Sequence, residues 1–158
     1  KVRIIMVIRN FKKEDVSEVM KLVKEMVDHH YELDPHYKPW NKYKDLKKYV
    51  IGWLKERGTK TLVAEEGGEI IGYARGSAEK SPSYLASQNI GIIYDLLVSS
   101  HYRKQGIGGF LFDSLMDWFK SKKVNDIELK VDARNASGVA FWKKLGFKEY
   151  SLRMRLDL

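Results

Sequence analysis

Apolar residues recur at helical spacing in four segments of the chain. The first segment shows the i, i+3, i+4, i+7 pattern of an amphipathic helix that begins near residues 13–15. Its apolar stripe consists of Val16, Val19, Met20, Val23, Met26, Val27 and His30. The same spacing predicts a second helix over 42–57, a third that begins at Ile107 and a short fourth after Asn135.

Short runs of apolar and β-branched residues predict the strands. These runs lie at 3–9, 61–66, 70–75, 92–98, 126–131 and 148–158. Gly67 and Gly68 separate the second run from the third, as in a two-residue hairpin. The strand at 92–98, the third helix and the strand at 126–131 form a βαβ unit, so these two strands should be parallel. The pattern therefore predicts an α/β fold with a mixed sheet.

Composition narrows the kinds of partner. The chain of 158 residues has 29 Lys or Arg against 21 Asp or Glu and a formal net charge of +8, which suits nucleic acid, an acidic membrane or a polyanionic small molecule. No apolar run reaches the length of a membrane span, so we expect no membrane partner. The apolar strand context and the absence of an aromatic basic repeat make nucleic acid a distant alternative, and a small polyanion is the partner that we expect.

Cysteine and histidine usage bears on the chemistry. The chain has no Cys, which excludes disulfides, a cysteine nucleophile and thiolate metal sites and is compatible with a cytoplasmic protein. Four histidines without clustered partners indicate that no metal is bound. His30 falls on the apolar stripe of the first helix, where a packed, hydrogen-bonded histidine is expected before a catalytic one.

A basic, glycine-rich turn joins the strand at 92–98 to the third helix. It reads Arg103-Lys104-Gln105-Gly106-Ile107-Gly108-Gly109. Glycine allows a tight bend, and the first N–H groups of a helix lack partners within it, so the turn predicts a pyrophosphate site. The dinucleotide-binding fingerprint needs glycine at position 111, and the P-loop needs Gly-Lys-Ser/Thr; neither is present.

A second motif follows at 131–147. Asn135 is suited to cap the fourth helix, and Gly146 suits the left-handed residue that follows a helix end, with Phe147 packed behind it. The turn Arg103-x-x-Gly106-x-Gly108 is similar to motif A of the GCN5-related N-acetyltransferases, and 131–147 resembles the strand–Asn–helix–Gly-Phe segment of that family. The two motifs occur in the family's order.

The resemblance implies a fold, a co-substrate and a reaction. The fold would be a single domain over 1–158, with a mixed sheet of six to seven strands, a central parallel βαβ pair and helices on both faces. The reaction would be transfer of an acetyl group from acetyl-CoA to a primary amine, which attacks the thioester directly in a ternary complex. No metal cofactor is implied.

The same resemblance assigns coenzyme-binding positions. Main-chain groups of the strand would hold the pantetheine arm, the turn would hold the pyrophosphate, and Lys104 and Lys144 would meet CoA phosphates. The N–H of Val98 would polarise the thioester carbonyl. The positions are Leu96, Leu97, Val98, Arg103, Lys104, Gln105, Gly106, Ile107, Gly108, Gly109, Asn135, Trp142 and Lys144.

Asp95 is the candidate general base. It is a carboxylate in an otherwise apolar strand, where burial should make it more basic. A structural Asp95, bonded to backbone or to an arginine, is the alternative. Residues 94–98 also resemble a segment of the polyamine acetyltransferases, but Tyr94 stands where that branch has Glu. Strand alternation predicts that Tyr94 and Asp95 point to opposite faces.

Trp142 occupies the position where many family members carry a tyrosine that protonates the departing thiolate. An indole N–H donates a hydrogen bond but is not an acid, so Trp142 either lines the sulfur pocket or belongs to the core. A thiolate with a pKa near 8.5 is a weak enough base for water to protonate it. Turnover therefore does not require a tyrosine at this position.

The acetyl acceptor is left open by the sequence. In the resembled family the first two helices form one wall of its site. The acidic residues here, Glu25, Asp28, Glu32 and Asp34, lie near the aromatic residues His36, Tyr37 and Trp40. They predict either a solvated helix face, which we favour, or a pocket for a cationic amine. A small or polyamine-like acceptor is favoured; a protein N-terminus or lysine, or acyl-CoA binding without turnover, are the alternatives. The oligomeric state is open, a dimer included.

Overall fold

The computed structural model describes residues 5–158, which contain five strands and four α-helices. The strands are β1 Met6–Asn10, β2 Thr59–Glu66, β3 Glu69–Lys80, β4 Asn89–Val98 and β5 Asp126–Leu129. The helices are α1 Val16–Leu33, α2 Leu46–Gly52, α3 Ile107–Ser121 and α4 Ala136–Lys144. Residues 3 and 4 of the predicted first strand lie outside the described residues. Within 5–158, no helix has both the length and the apolarity needed to cross a membrane.

The strands form one mixed sheet in the order β1-β2-β3-β4-β5. The first three pairings are antiparallel, and β4 pairs with β5 in parallel, as the βαβ unit requires. Gly67 and Gly68 both have positive φ, at 60° and 87°, which matches the hairpin turn expected between β2 and β3. The mixed sheet and its parallel βαβ pair are therefore confirmed, but in the described residues that pair lies at one edge of the sheet and not at its centre.

Helices cover both faces of the sheet and enclose two apolar layers. On one face, α1 and α2 pack against β2 and β3 around Val23, Val50 and Tyr73. On the other face, α3 packs through Leu111 and Leu115 onto the same strands and β4. The β2 residues Leu62 and Val63 point to opposite layers, as strand alternation demands. This arrangement confirms helices on both faces.

The predictions for the second helix and for the last strand were wrong. The second helix covers only Leu46–Gly52, because a 3-10 turn at Trp40–Lys42 precedes it and tighter turns follow it, with Trp53 N–H donating to Val50 C=O. The predicted strand at 148–158 is not part of the sheet, which has five strands in the described chain. That segment is attached by side chains such as Arg155, which pairs with Asp34, while its alternating apolar side chains remain exposed.

Close packing fixes α3 against the centre of the sheet. A Cβ on Gly91 of β4 would lie 2.8 Å from Cε1 of Phe119, and one on Gly76 of β3 would lie 2.9 Å from Cζ of the same ring. Such distances leave no room for a side chain at either strand position. Because Phe119 lies near the end of α3, this contact sets how the helix crosses the sheet, and hence where its first turn sits beside the end of β4.

Candidate functional site

The last five residues of β4 have no parallel neighbour. The β4–β5 pairing ends at Ile93 and Leu129, whereas β4 continues to Val98 paired with β3 alone. One edge of β4 is therefore open from residue 94 onward, on the side where β5 would otherwise lie. This open edge, which we call the notch, lies at the carboxyl end of the strand, where ligands bind in α/β sheets.

Main-chain groups of β4 point into the notch. Ser99 N–H donates to Ile71 C=O at 2.8 Å, just beyond the Val98–Gly72 pair. In an antiparallel ladder this places Val98 in a non-hydrogen-bonded pair, so its N–H points away from β3. The same alternation turns the N–H and C=O of Leu96 to the notch. Of the three strand positions assigned to the coenzyme by resemblance, Leu96 and Val98 therefore turn their backbone groups to the open edge, whereas those of Leu97 face β3.

A β-bulge at Tyr94 brings two neighbouring side chains to the same face. Arg75 pairs with Asp95 and Gly76 with Ile93, so Tyr94 is an extra residue in β4. The guanidinium carbon of Arg75 lies 4.8 Å from the centre of the Tyr94 ring. The prediction of opposite faces for Tyr94 and Asp95 is wrong, because the bulge interrupts the strand alternation on which it rested.

Asp95 is a half-buried carboxylate without a partner. No side chain or backbone group within residues 5–158 donates a hydrogen bond to it, and it forms no ion pair there, since Arg75 pairs with Glu56 instead. Burial raises the pKa of Asp95 to about 6, and the positive charge of Arg75 partly opposes that rise. The structural alternative required a bonded Asp95, so these contacts favour the base.

Arg75 is a site residue that sequence reasoning missed. It is buried, pairs with Glu56, and its guanidinium carbon lies 5.0 Å from the Trp53 ring and 6.0 Å from the Tyr49 ring. The sequence feature that could have indicated it is the presence of an arginine at the end of the apolar run 70–75. Because it is held by Glu56 and three aromatic rings, Arg75 brings a fixed positive charge close to Asp95 without forming an ion pair with it.

The glycine-rich turn offers a run of free backbone donors. Gly106 precedes α3 with φ +82°, and Lys104 also has positive φ, at 62°. The first N–H to find a protein acceptor is that of Gly109, which donates to Gly106 C=O. From Arg103 to Gly108, no backbone N–H has an acceptor among the described residues. Consecutive free N–H groups at a helix start form an anion site.

Arg103 contacts the end of β4 and α1. Its Nε donates to Val98 C=O at 3.1 Å, and its guanidinium donates to Glu25 at 2.8 Å. Glu25 also accepts the N–H of Ser100 at 3.0 Å. The side chain predicted for the pyrophosphate thus joins α1 to the strand end in this structure, and Glu25 is a second residue whose position the sequence did not indicate.

The fourth helix contributes a cap and an aromatic cluster. Asn135 accepts the N–H of Gly138 at 3.0 Å, which confirms it as the helix cap. Trp142 packs among Phe112, Phe141 and Phe147, with ring centroids 4.9–6.3 Å apart, so the core interpretation of Trp142 is favoured.

Phe141 is the aromatic residue next to the turn. A Cβ on Gly108 would lie 3.2 Å from the Phe141 ring and 3.5 Å from the Leu96 side chain. Its position beside the turn could not be predicted from the sequence, where Phe141 is one of the apolar residues of the fourth helix. Lys144 is exposed at the end of α4.

The acidic residues around the α1–α2 connection are mostly paired. Asp34 is buried and accepts hydrogen bonds from Arg134 and Arg155, which hold the pKa of its carboxyl far below the usual range. Asp28 pairs with Lys24 on the surface of α1. With Glu25 already bound to Arg103, little unpaired negative charge remains for a cation-binding pocket.

His30 is packed, as its pattern predicted. Its ring stacks on Tyr37 with centroids 5.1 Å apart, and burial lowers its pKa. A hydrogen bond to the ring was also expected, but the ring nitrogens of His30 form none with the residues described. The ring therefore acts as a packing element at the end of α1.

Comparison with known proteins identifies similar sequences. Residues 22–147 match the sequence profile described as the acetyltransferase (GNAT) family. An N-alpha-acetyltransferase of Sulfurisphaera tokodaii is 29% identical over 147 residues, covering 90% of this chain and 80% of that protein. A [ribosomal protein bS18]-alanine N-acetyltransferase of Escherichia coli is 26% identical over 97 residues, covering 60% of this chain and 66% of that protein.

Solved structures share the fold. A point mutant of the BH1408 protein from Bacillus halodurans superposes with a TM-score of 0.88 at 24% identity, covering 96% of this chain and 99% of that one. The aminoglycoside N-acetyltransferase AAC(6')-Iy, solved in complex with CoA, superposes with a TM-score of 0.79 at 17% identity, covering 99% and 96%. At these identities the likeness establishes the architecture.

The unpartnered carboxylate should lower stability at neutral pH. Because its pKa rises from 3.8 to about 6 on folding, the penalty is small near pH 4, grows between about pH 4 and 6 and is nearly constant above, at most about 3 kcal/mol. We expect Asp95→Asn to raise Tm clearly at pH 8 and little at pH 4. Thermal unfolding at both pH values measures this, with the exposed Asp113→Asn as control. An equal change at both pH values would contradict a raised pKa.

Proposed function

The chain belongs to the acetyltransferase (GNAT) family, and on that basis we propose that it transfers the acetyl group of acetyl-CoA to the α-amine at the N-terminus of a peptide or protein. Acyl transfer to nitrogen is the family's activity, and acetyl-CoA is the co-substrate. The acetyl acceptor is the new part of the proposal.

The observation that carries the proposal is the unpartnered Asp95. The ammonium form of an α-amine has a pKa near 8, about one unit above neutral pH. That of an alkyl amine has a pKa near 10.4, more than three units above neutral pH, and is therefore harder to deprotonate. A carboxylate with a pKa of about 6 is well matched to the α-amine. The relatives named N-alpha-acetyltransferase and alanine N-acetyltransferase support the same choice.

The residues around the notch suit the coenzyme. The free N–H groups of 103–108 would bind the pyrophosphate, and the open N–H and C=O of Leu96 would pair with the amides of the pantetheine arm. The N–H of Val98 is left for the thioester carbonyl, since its C=O accepts a hydrogen bond from Arg103 Nε. Lys104 and Lys144 would meet further phosphates. Asn135 has its side-chain oxygen committed to the helix cap, so its side-chain NH₂ is the group left for the pantetheine arm.

Asp95 and Val98 would carry the chemistry. Asp95 takes a proton from the ammonium, and the freed nitrogen attacks the thioester carbonyl carbon. The Val98 N–H stabilises the negative charge that develops on the carbonyl oxygen. As the C–N bond completes, the nitrogen loses its second proton to water, the C–S bond breaks and its electron pair leaves with sulfur. Water protonates the thiolate, since Trp142 lies in an aromatic cluster and has no acidic proton to give.

An acetyl-acceptor panel tests the function. Thiol release from acetyl-CoA is followed at pH 7 with a peptide that has a free N-terminus, the same peptide N-terminally blocked but with an internal lysine, spermidine and kanamycin. We expect the free N-terminus to give the fastest release. Faster release with spermidine or kanamycin would establish a small-amine acceptor, and faster release with the blocked peptide would establish a lysine acceptor. Absence of release with any of them would indicate an acyl-CoA-binding domain.

Replacement of the base should slow chemistry without weakening coenzyme binding. We expect Asp95→Asn to lower kcat at least about tenfold and to leave the Kd for CoA unchanged in calorimetry. Wild-type kcat should rise with pH through about 6, as Asp95 loses its proton, and the variant should lack that rise. Asp113→Asn is the matched control. An unaltered kcat would remove Asp95 from the mechanism.

A substitution in the glycine-rich turn should weaken coenzyme binding, in contrast to the replacement of Asp95. Gly106 has φ +82°, a conformation that costs a side-chain-bearing residue about 1–2 kcal/mol, so Gly106→Ala should redirect the free N–H groups and raise the Kd for CoA about tenfold. Gly146→Ala is the control, because Gly146 has φ +95° and lies outside the coenzyme positions. Calorimetry with CoA measures both. An equal Kd in the two variants would show that the turn does not bind the pyrophosphate.

A further inference from the structure

Most of the chain's net positive charge lies in one segment. Residues 38–60 contain eight Lys or Arg and two Asp or Glu, a net +6 out of the formal +8 of the whole chain. One of the two acidic residues, Glu56, is already paired with Arg75. Charge this concentrated is an electrostatic footprint for a polyanion rather than a general property of the surface.

The cations of this segment are exposed and unpaired. Six of them, Lys42, Lys44, Lys47, Lys48, Lys55 and Arg57, are solvent-exposed. None forms an ion pair with any residue in the described range 5–158. We call 42–57 the basic surface. It comprises the 3-10 turn before α2, the outer side of α2 and the turns that follow, while Val50 and Trp53 on the inner side are buried.

Two tyrosines are interleaved with these lysines. Tyr43 lies between Lys42 and Lys44, and Tyr49 follows Lys47 and Lys48; their exposed fractions are 38% and 52%. Exposed aromatic rings between cations are what single-stranded nucleic acid uses, because bases stack on the rings while phosphates meet the cations. The sequence contains no aromatic basic repeat, and only the exposure of these two rings in the structure reveals tyrosines placed beside exposed lysines.

We propose that the basic surface binds single-stranded nucleic acid. A membrane surface suits it less, because a membrane-bound helix needs an exposed apolar face, and the apolar residues of α2 are packed in the core. An acidic peptide would use the cations but would leave the exposed ring of Tyr43 without a role, whereas Tyr49 also contacts Arg75. Phosphates spaced along a flexible strand, with bases between them, use both kinds of residue.

The charge component is tested by salt dependence. Fluorescence anisotropy of labelled 20-nucleotide oligouridine and oligodeoxythymidine is measured between 50 and 200 mM salt. Each phosphate contact contributes about −0.7 to the slope of log K against log salt, so the triple variant Lys44→Gln, Lys47→Gln, Lys48→Gln should flatten the slope by about two. The matched triple Lys13→Gln, Lys120→Gln, Lys122→Gln should leave it unchanged. Equal flattening by both triples would overturn the proposal, since attraction would then follow net charge alone.

The stacking component is tested separately. We expect Tyr43→Ala to weaken oligonucleotide binding at least about fivefold with an unchanged salt slope. Tyr84→Ala, at an exposed tyrosine of the β3–β4 loop, should have no effect. Thermal unfolding confirms that each variant is folded. Equal affinity of wild type and Tyr43→Ala would overturn the role of stacking, and with it the choice of nucleic acid over an acidic peptide.

Competing partners provide the remaining controls. Binding of the protein to phosphatidylserine–phosphatidylcholine vesicles and to polyglutamate is measured at the same concentration of negative charges as for the oligonucleotides. Weaker binding of both than of the oligonucleotides supports the proposal, and tighter binding of either overturns it. The difference between oligouridine and oligodeoxythymidine then distinguishes RNA from DNA. None of these readouts involves acetyl transfer, so they stand or fall independently of the proposed function.

Discussion

The candidate site depends on backbone hydrogen-bonding groups that the fold leaves without partners. β5 stops pairing at Leu129 while β4 continues to Val98, and the turn before α3 leaves the N–H groups of 103–108 free. Buried or converging main-chain donors are rarely left unsatisfied in proteins. Here the two sets flank one notch, and a ligand that is extended at one end and anionic at the other would satisfy both.

The charge environment of Asp95 depends on how Arg75 is held. Glu56 neutralises its charge directly, and the rings of Trp53 and Tyr94 fix its position, so Asp95 is near a cation without an ion pair. A direct ion pair would stabilise the carboxylate and make it a poor base. The arrangement therefore combines a strongly held arginine with a carboxylate that remains able to accept a proton.

Sequence reasoning recovered the elements whose signals are local. The α1 stripe, the Gly67–Gly68 hairpin, the βαβ unit and the Asn135 cap each depend on a few adjacent residues, and all are present. Features that depend on partners distant in sequence were not recovered. These are the bulge opposite Arg75, the contact of Arg103 with Glu25 and the missing sixth strand, whose alternating pattern could not show whether a neighbouring edge would accept it.

The bulge also means that Asp95 does not face the helix that Ile93 faces. In a regular ladder, residues 93 and 95 would lie on the same face, and the carboxylate would point toward α3. The extra residue Tyr94 lets Ile93 stay opposite Gly76 while Asp95 stays opposite Arg75, so the carboxylate lies on the face that α1 and α2 cover. The direction of this side chain is therefore a property of the irregular pairing at Tyr94, and a substitution at position 94 that kept the bulge would leave it unchanged.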